Sequence, residues 1–223
     1  MNPDLDKITE VILKVLRAQD IELESKKDDF TIPVGVSNHH VHLTEEHIEI
    51  CFGKGYELTP IKDLTQPGQF ACKETVTLCG PKGAIEKIRI LGPARKESQV
   101  ELLVSDNYKL GLNAPLRLSG EIKGSAPITV VGPKGSVYLE EGAIVARRHI
   151  HMMPEDARRF GVSDGETVSV RVNGERGGVM DNVIIRANNT SKLDFHIDTE
   201  EANALGLGSS DKITIIKQEQ NKR

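Results

Sequence analysis

The sequence predicts a mostly β protein: two related β-barrel domains with short helices, plus an N-terminal amphipathic helix. Three observations carry this prediction. From residue 31 onward, short β-branched runs alternate with glycine and proline turns. One strand–turn block occurs twice: Thr75-Val76-Thr77-Leu78-Cys79-Gly80-Pro81-Lys82-Gly83 closely matches Ile128-Thr129-Val130-Val131-Gly132-Pro133-Lys134-Gly135. After residue 20 there is no long amphipathic helix of the kind that covers a doubly wound sheet. The expected division is 1–30 for the N-terminal helix and linker, 31–120 for the first barrel domain and 121–223 for the second. Exchange of strands between the two barrels is allowed for.

Taken in order, residues 3–19 place Leu5, Ile8, Ile12, Val15 and Leu16 at spacings of three and four, one apolar stripe of a helix. Pro3 and Asp4 suit its first turn and Arg17 its last. Residues 20–30 are charged and aperiodic, a linker. The helix either docks elsewhere or packs on its own domain. Residues 32–43 form a strand flowing into a histidine pair. Thr44 then caps a short helix through Phe52, closed by Gly53 and Gly55. Residues 58–64 are extended and Pro67-Gly68 is a turn. Strands follow at 74–78, 86–91 and 99–104, a boundary or crossover near Pro115, then strands at 128–131 and 137–139. The last third repeats one plan. His149 to Ala157 leads to Gly161 and a strand at 167–172; His196 to Ala202 leads to Gly206 and a strand at 212–216. Each reads strand, short acidic helix, glycine turn, strand, and His40 to Glu46 opens the same way. Such repeated units suit two related barrels.

Composition narrows the function classes. A chain of 223 residues can hold one large or two small domains, and 38% hydrophobic with 28% charged residues suits a folded soluble protein. A net charge of -4, no tryptophan and 4% aromatics argue against nucleic-acid binding. No apolar run approaches the roughly 18–20 residues needed to span a bilayer, and no signal peptide is visible, so a cytoplasmic location is expected. Cys51, Cys72 and Cys79 are odd in number and lack Cys-x-x-Cys spacing, which suits small buried side chains in a reducing compartment. Cys72 or Cys79 as a catalytic thiol is a lesser alternative.

The chemistry concentrates in the histidines. Of seven, six fall in three places: 39, 40 and 42; 149 and 151; and 196. In a strand, residues i and i+2 share a face, so each His-x-His aims two imidazoles at one point. Imidazole is a good ligand for zinc and similar metals. Five such histidines exceed one three-ligand catalytic site and fit two metals. His149 and His151 could be completed by His196; His40 and His42 would need a carboxylate or thiolate. His39 points away from His40, and His47 reads as an ordinary surface residue. Lys82, Arg89, Arg95, Lys96, Arg147 and Arg148 read singly as a solvated rim and together suit an anionic, phosphate-bearing substrate. The glycines at 80 and 83 form neither a dinucleotide fingerprint nor a Walker loop.

Several segments resemble one family. Val36-Ser37-Asn38-x-His40-Val41-His42-Leu43, Leu91-Gly92-Pro93-x-Arg95, Gln99-Val100-Glu101, Arg148-His149-Ile150-His151-Met152 and Phe195-His196-Ile197-Asp198 are similar, in order, to the PduL-type phosphate propanoyltransferases. The likeness covers about residues 31–216. His39 departs from it, because the family commonly has arginine there. The resemblance implies two β-barrel domains with two zinc ions between them. It implies His40, His42 and Glu101 on one zinc and His149, His151 and His196 on the other, Arg95 on phosphate, and Val36, Ser37, Asn38, Lys82, Arg89 and Asn203 on coenzyme A. Glu101 is chosen by the resemblance alone, from 33 acidic residues.

The implied reaction interconverts acyl-CoA (propanoyl-CoA or acetyl-CoA) plus phosphate with acyl phosphate plus CoA. A homo-oligomer is expected. Residues 3–19 look like the helices that direct some members into bacterial microcompartments, where shell or cargo proteins would be partners. Two other readings use the same residues: a binuclear zinc hydrolase of a thioester or phosphorylated substrate, and a non-enzymatic zinc-binding β-barrel module.

Overall fold

The computed structural model describes residues 30–216. The helix expected at 3–19 and its linker lie outside that range. Fourteen strands and four short helices follow one another: β1 (Thr31–Ser37), β2 (His40–His42), α1 (Glu45–Phe52), β3 (Pro60–Asp63), β4 (Phe70–Cys79), β5 (Ala84–Gly92), β6 (Gln99–Leu102), α2 (Val104–Leu110) and β7 (Leu116–Arg117). The remainder is β8 (Ala126–Val131), β9 (Ser136–Ala146), β10 (His149–Met152), α3 (Pro154–Phe160), β11 (Thr167–Val172), β12 (Gly178–Ala187), β13 (Asp194–Asp198), α4 (Thr199–Leu205) and β14 (Lys212–Ile216).

The strands close two barrels. One runs β4-β5-β2-β6-β9-β8 and returns to β4, with β3 and β7 added at its edges. The other runs β1-β13-β10-β12-β11-β14 and closes through the β1–β14 pairing. Among the described residues, closure leaves no long unpaired strand edge. Each barrel has its own core. Leu78, Ile88, Ile90 and Val100 are fully buried in the first; Ile150, Val170, Ile185 and Phe195 are fully buried in the second. Alternation builds these interiors: along β11, Val168, Val170 and Val172 point in while Thr167 and Arg171 are exposed.

The expected boundary at residue 120 does not follow the sheets. β1, at the start of the described chain, closes the second barrel by pairing with β13 and β14. β8 and β9, beyond residue 120, complete the first. The reason is hydrogen bonding: β1 leaves the second barrel at Ser37 and the chain enters β2 of the first within three residues. The segment 37–39 is thus one of two covalent crossovers between barrels; Arg147 and Arg148, between β9 and β10, form the other.

Two further differences concern helices and strands. The expected strand at 99–104 stops at Leu102, and α2 begins at Val104. Its entry lacks a polar N-cap residue; instead Asp106 reaches back to accept the Leu103 N–H at 3.0 Å. β12 appears where no strand was expected. The two Gly-Pro-Lys-Gly turns serve the helices. The Lys82 N–H donates to Leu110 O at 3.0 Å and the Lys134 N–H to Cys51 O at 2.9 Å, satisfying carbonyls at the ends of α2 and α1. A Cβ at Gly132 would come within 2.5 Å of the Cys51 Cβ, so this close approach requires glycine.

Candidate metal centre and active site

The two histidine groups are built alike. β2 pairs antiparallel with β6, setting His40 opposite Glu101 and His42 opposite Gln99. β10 pairs antiparallel with β13, setting His149 opposite His196 and His151 opposite Asp194. Each barrel therefore supplies a His-x-His strand and, from the neighbouring strand, one more ligand-bearing residue opposite its first histidine. In each group of three, His40, His42 and Glu101 or His149, His151 and His196, the candidate ligand atoms all lie within 4.8 Å of one another. These are the groups that could hold metal ions.

Three of the imidazoles are pinned by backbone carbonyls. His40 Nδ1 meets Asn38 O at 2.8 Å, His42 Nδ1 meets Leu91 O at 3.2 Å and His149 Nδ1 meets Arg147 O at 2.8 Å. A carbonyl only accepts, so Nδ1 carries the proton and Nε2 is turned to the group's centre. In His42 and His149 it keeps its lone pair, whereas at His40 burial is outweighed by the Glu101 carboxylate beside Nε2, which raises that imidazole's affinity for a second proton. That arrangement is usual for a metal-bound imidazole. In the second group His149 Nε2 and His151 Nε2 face each other at 2.9 Å, while the buried Nδ1 atoms of His151 and His196 have no hydrogen-bond partner. Burying the two unpartnered Nδ1 atoms is costly, and the Nε2–Nε2 contact, itself a hydrogen bond, brings together two ring nitrogens that one cation could share. The donor set, five imidazoles and one carboxylate without thiolate, fits zinc with open positions better than a closed structural site.

The electrostatics agree. Burial, with His196 and His151 nearby, pushes His149 down to about 3. Burial and the Arg186 charge push His151 down to about 4. Burial and the neighbouring His40 hold His42 well below its usual value. All three are neutral at physiological pH, as metal binding requires. Burial opposes ionisation of Glu101, but His40, 3.4 Å away, outweighs it and holds the carboxyl well below its ordinary range. Glu101 also acts on His151 and His196, so the groups of the two barrels lie within electrostatic reach of each other.

Arg95 is half-buried beside this centre. Its guanidinium donates to Ser119 Oγ at 3.1 Å, and both Glu101 and Arg186 act on its charge. Arg186, on β12 opposite His151, was not foreseen, since β12 itself was not. Its charge also lowers His149 and His196. Two guanidinium groups thus flank the imidazoles.

The remaining expected residues are spread more widely. Val36 and Ser37 end β1 opposite Ile197 and Asp198, and Asn38 lies in the crossover. Arg89, opposite His40, donates to the Cys72 and Lys73 carbonyls at 2.9 and 2.7 Å. Lys82 is exposed at its turn against Gly111, and Asn203 is exposed on α4. His39 pairs with Asp106 at 2.9 Å and His47 Nδ1 meets Ser98 Oγ at 2.7 Å, both outside the groups of three. Arg148 pairs with Glu201 at 2.9 Å. Burial raises the Cys72 thiol to about 11, which leaves little thiolate for catalysis.

Against this geometry, comparison with known proteins is direct. The family model for phosphate propanoyltransferase matches residues 33–208. The chain belongs to the phosphate propanoyltransferase family. Its relatives include phosphate propanoyltransferases of Lachnoclostridium phytofermentans, 54% identical over 95% of this chain and 98% of that protein, and of Rhodobacter capsulatus, 53% identical over 92% and 95%. The Thermotoga maritima relative is 52% identical over 83% of this chain and 89% of its own. The protein is accordingly an acyltransferase on a double β-barrel scaffold. Among the described residues no helix is long and apolar enough to cross a membrane.

Proposed function

We infer that the protein is a zinc-dependent phosphotransacylase that interconverts propanoyl-CoA plus phosphate with propanoyl phosphate plus CoA, with acetyl-CoA as a second substrate. The observation that carries this reading is the pair of three-residue groups, one per barrel, within electrostatic reach of each other and flanked by Arg95 and Arg186. His40, His42 and Glu101 would hold one zinc, and His149, His151 and His196 the other. Zinc there supplies Lewis-acid polarisation and a soft partner for the CoA sulfur.

The chain's residues do the rest. Arg95 binds phosphate and fixes its approach, and Arg186 adds a second positive charge opposite His151. A phosphate oxygen attacks the thioester carbonyl; the new C–O bond forms, the C–S bond breaks and CoA leaves as thiolate. In reverse, the thiolate attacks the acyl phosphate carbonyl and phosphate leaves. Both directions pass through an oxyanion that fixed positive groups stabilise. Val36, Ser37 and Asn38 at the crossover, with Lys82, Arg89 and Asn203, are the CoA-contacting residues of this reading. It also takes the protein to be a homo-oligomer and assigns residues 3–19 as an address for a microcompartment lumen, which deletion of 1–20 tests by loss of co-packaging with shell proteins.

The deciding assay follows acyl phosphate formed from propanoyl-CoA and acetyl-CoA, with phosphate varied and chelator present or absent. Phosphate-dependent, chelator-sensitive formation supports the reading. Thioester loss at equal rate without phosphate would make the protein a hydrolase instead.

A further inference from the structure

We propose that Gln99 is a positioning residue that braces Glu101 and Arg95 into one arrangement; the inference rests on the reading of the site above. Gln99 stands opposite His42 on β6, two residues before Glu101, so both side chains share the face that carries the histidines. It is buried, at 2% exposure, yet every polar group of its amide is used. Nε2 donates to Glu101 Oε1 at 2.7 Å and to Ser119 Oγ at 2.9 Å; Oε1 accepts the Gly120 N–H at 2.7 Å. The amide can sit only one way round. A backbone N–H only donates and an ionised carboxylate only accepts, so exchanging oxygen and nitrogen would oppose like groups at both ends.

Ser119 extends the brace, because Arg95 Nη1 donates to the same hydroxyl oxygen at 3.1 Å. Two consequences follow. With Oε1 committed to Gln99, Glu101 presents Oε2 alone toward His40 Nε2, 3.4 Å away, and acts as a single-oxygen ligand that leaves coordination open. With two donors already on its oxygen, Ser119 keeps its own hydroxyl proton for a further acceptor, and an oxyanion held by Arg95 is such an acceptor. The brace is confined to one barrel. The equivalent position of the second is Asp194, opposite His151, whose carboxylate has no N–H to offer.

The test uses the full chain, stripped of metal and titrated with zinc against a competing chelator, alongside acyl transfer at varied phosphate. Gln99→Met and the same-shaped Gln99→Glu, which lack the two donors, should weaken one zinc equivalent by roughly 10- to 100-fold and leave the other unchanged. Both should also raise KM for phosphate more than KM for acyl-CoA. Ser119→Ala should raise KM for phosphate while leaving both zinc affinities and the KM for acyl-CoA intact. Unaltered zinc binding and phosphate KM in the Gln99 variants would overturn the brace, as would equal weakening of both equivalents with general loss of thermal stability. If Ser119→Ala loses zinc as Gln99→Met does, the assigned order of contacts is wrong. An unsubstituted protein that takes up no zinc overturns the reading of the site itself, whatever Gln99 does.

Discussion

Replacing Arg95 by alanine removes one of two guanidinium groups at the site without disturbing the loop that carries it. The Arg95 N–H donates to Leu43 O at 2.9 Å, a backbone contact that survives any side-chain change. The guanidinium is half-buried, so its field is only partly screened. At an effective dielectric of about 20, a unit charge pair about 4 Å apart interacts by about 4 kcal/mol. Arg186 stays in place, and solvent fills part of the vacated space, so about 3 kcal/mol of transition-state stabilisation should be lost. That corresponds to a roughly 100-fold fall in kcat/KM for phosphate. Arg95→Lys should recover part of it, because charge returns without the planar fork. The assay is the initial rate of acyl phosphate formation at varied phosphate, with metal content measured on the same samples. Near-unchanged kcat/KM for phosphate would refute the role of Arg95. So would metal loss matching the loss of rate, because Arg95 would then act through the metal centre.

Three predictions address the scaffold. The Glu74 carboxylate accepts from the Tyr56 hydroxyl at 2.9 Å and the Thr59 N–H at 3.0 Å, and these bonds hold it below its usual range despite burial. A depressed folded value means that its stabilisation is present above the unfolded value of 4.5 and is lost as pH falls through the folded one. The urea midpoint should therefore fall on acidification less in Glu74→Gln than in the unsubstituted protein. A methyl group at Gly35 would meet Asp194 Oδ1 at 2.8 Å and Cγ at 2.9 Å, beside the strand carrying His196. Gly35→Ala should cost about 1–3 kcal/mol by thermal unfolding, while Gly178→Ala, whose nearest atom is 3.6 Å away, should be near neutral. Ile150 is fully buried in the second core between the two histidines, and Ile150→Ala should destabilise by about 2–5 kcal/mol in urea unfolding.

What the sequence disclosed depended on how local the signal was. Thr44 and the glycines after it mark α1 because capping is a short-range event. The strands at 167–172 and 212–216 appear with the expected bounds because alternation and flanking glycines agree there. α2 was hidden because its apolar entry, Leu102-Leu103-Val104, continues the strand before it; α3 has the same backward-reaching cap, Asp156 to the Met153 N–H, but is announced by Pro154 at its first turn. β12 breaks strict alternation, with adjacent buried Val183, Ile184 and Ile185, and Asn182 at a positive φ of 58°. Missing it hid Arg186. The exchange of β1 for β8 and β9 is long-range pairing that no local pattern records.

The histidine pairs were legible because a two-residue spacing has a fixed meaning in a strand. Their third members are contributed by neighbouring strands: Glu101 came only from family likeness, and its register opposite His40 supplies the physical reason. Gln99 lay within a quoted motif, but its fork to Glu101 and Ser119 depends on a loop about 20 residues away in sequence. Arg89, expected on coenzyme A, spends hydrogen bonds on the Cys72 and Lys73 carbonyls, a use that a sequence cannot display.

The most direct measurement is elemental analysis of active, purified protein, paired with acyl transfer before and after metal removal and zinc re-addition. The account predicts two zinc ions per chain, loss of phosphate-dependent acyl transfer when they are removed, and its return when zinc is restored. Full activity in protein that holds no stoichiometric metal would contradict it.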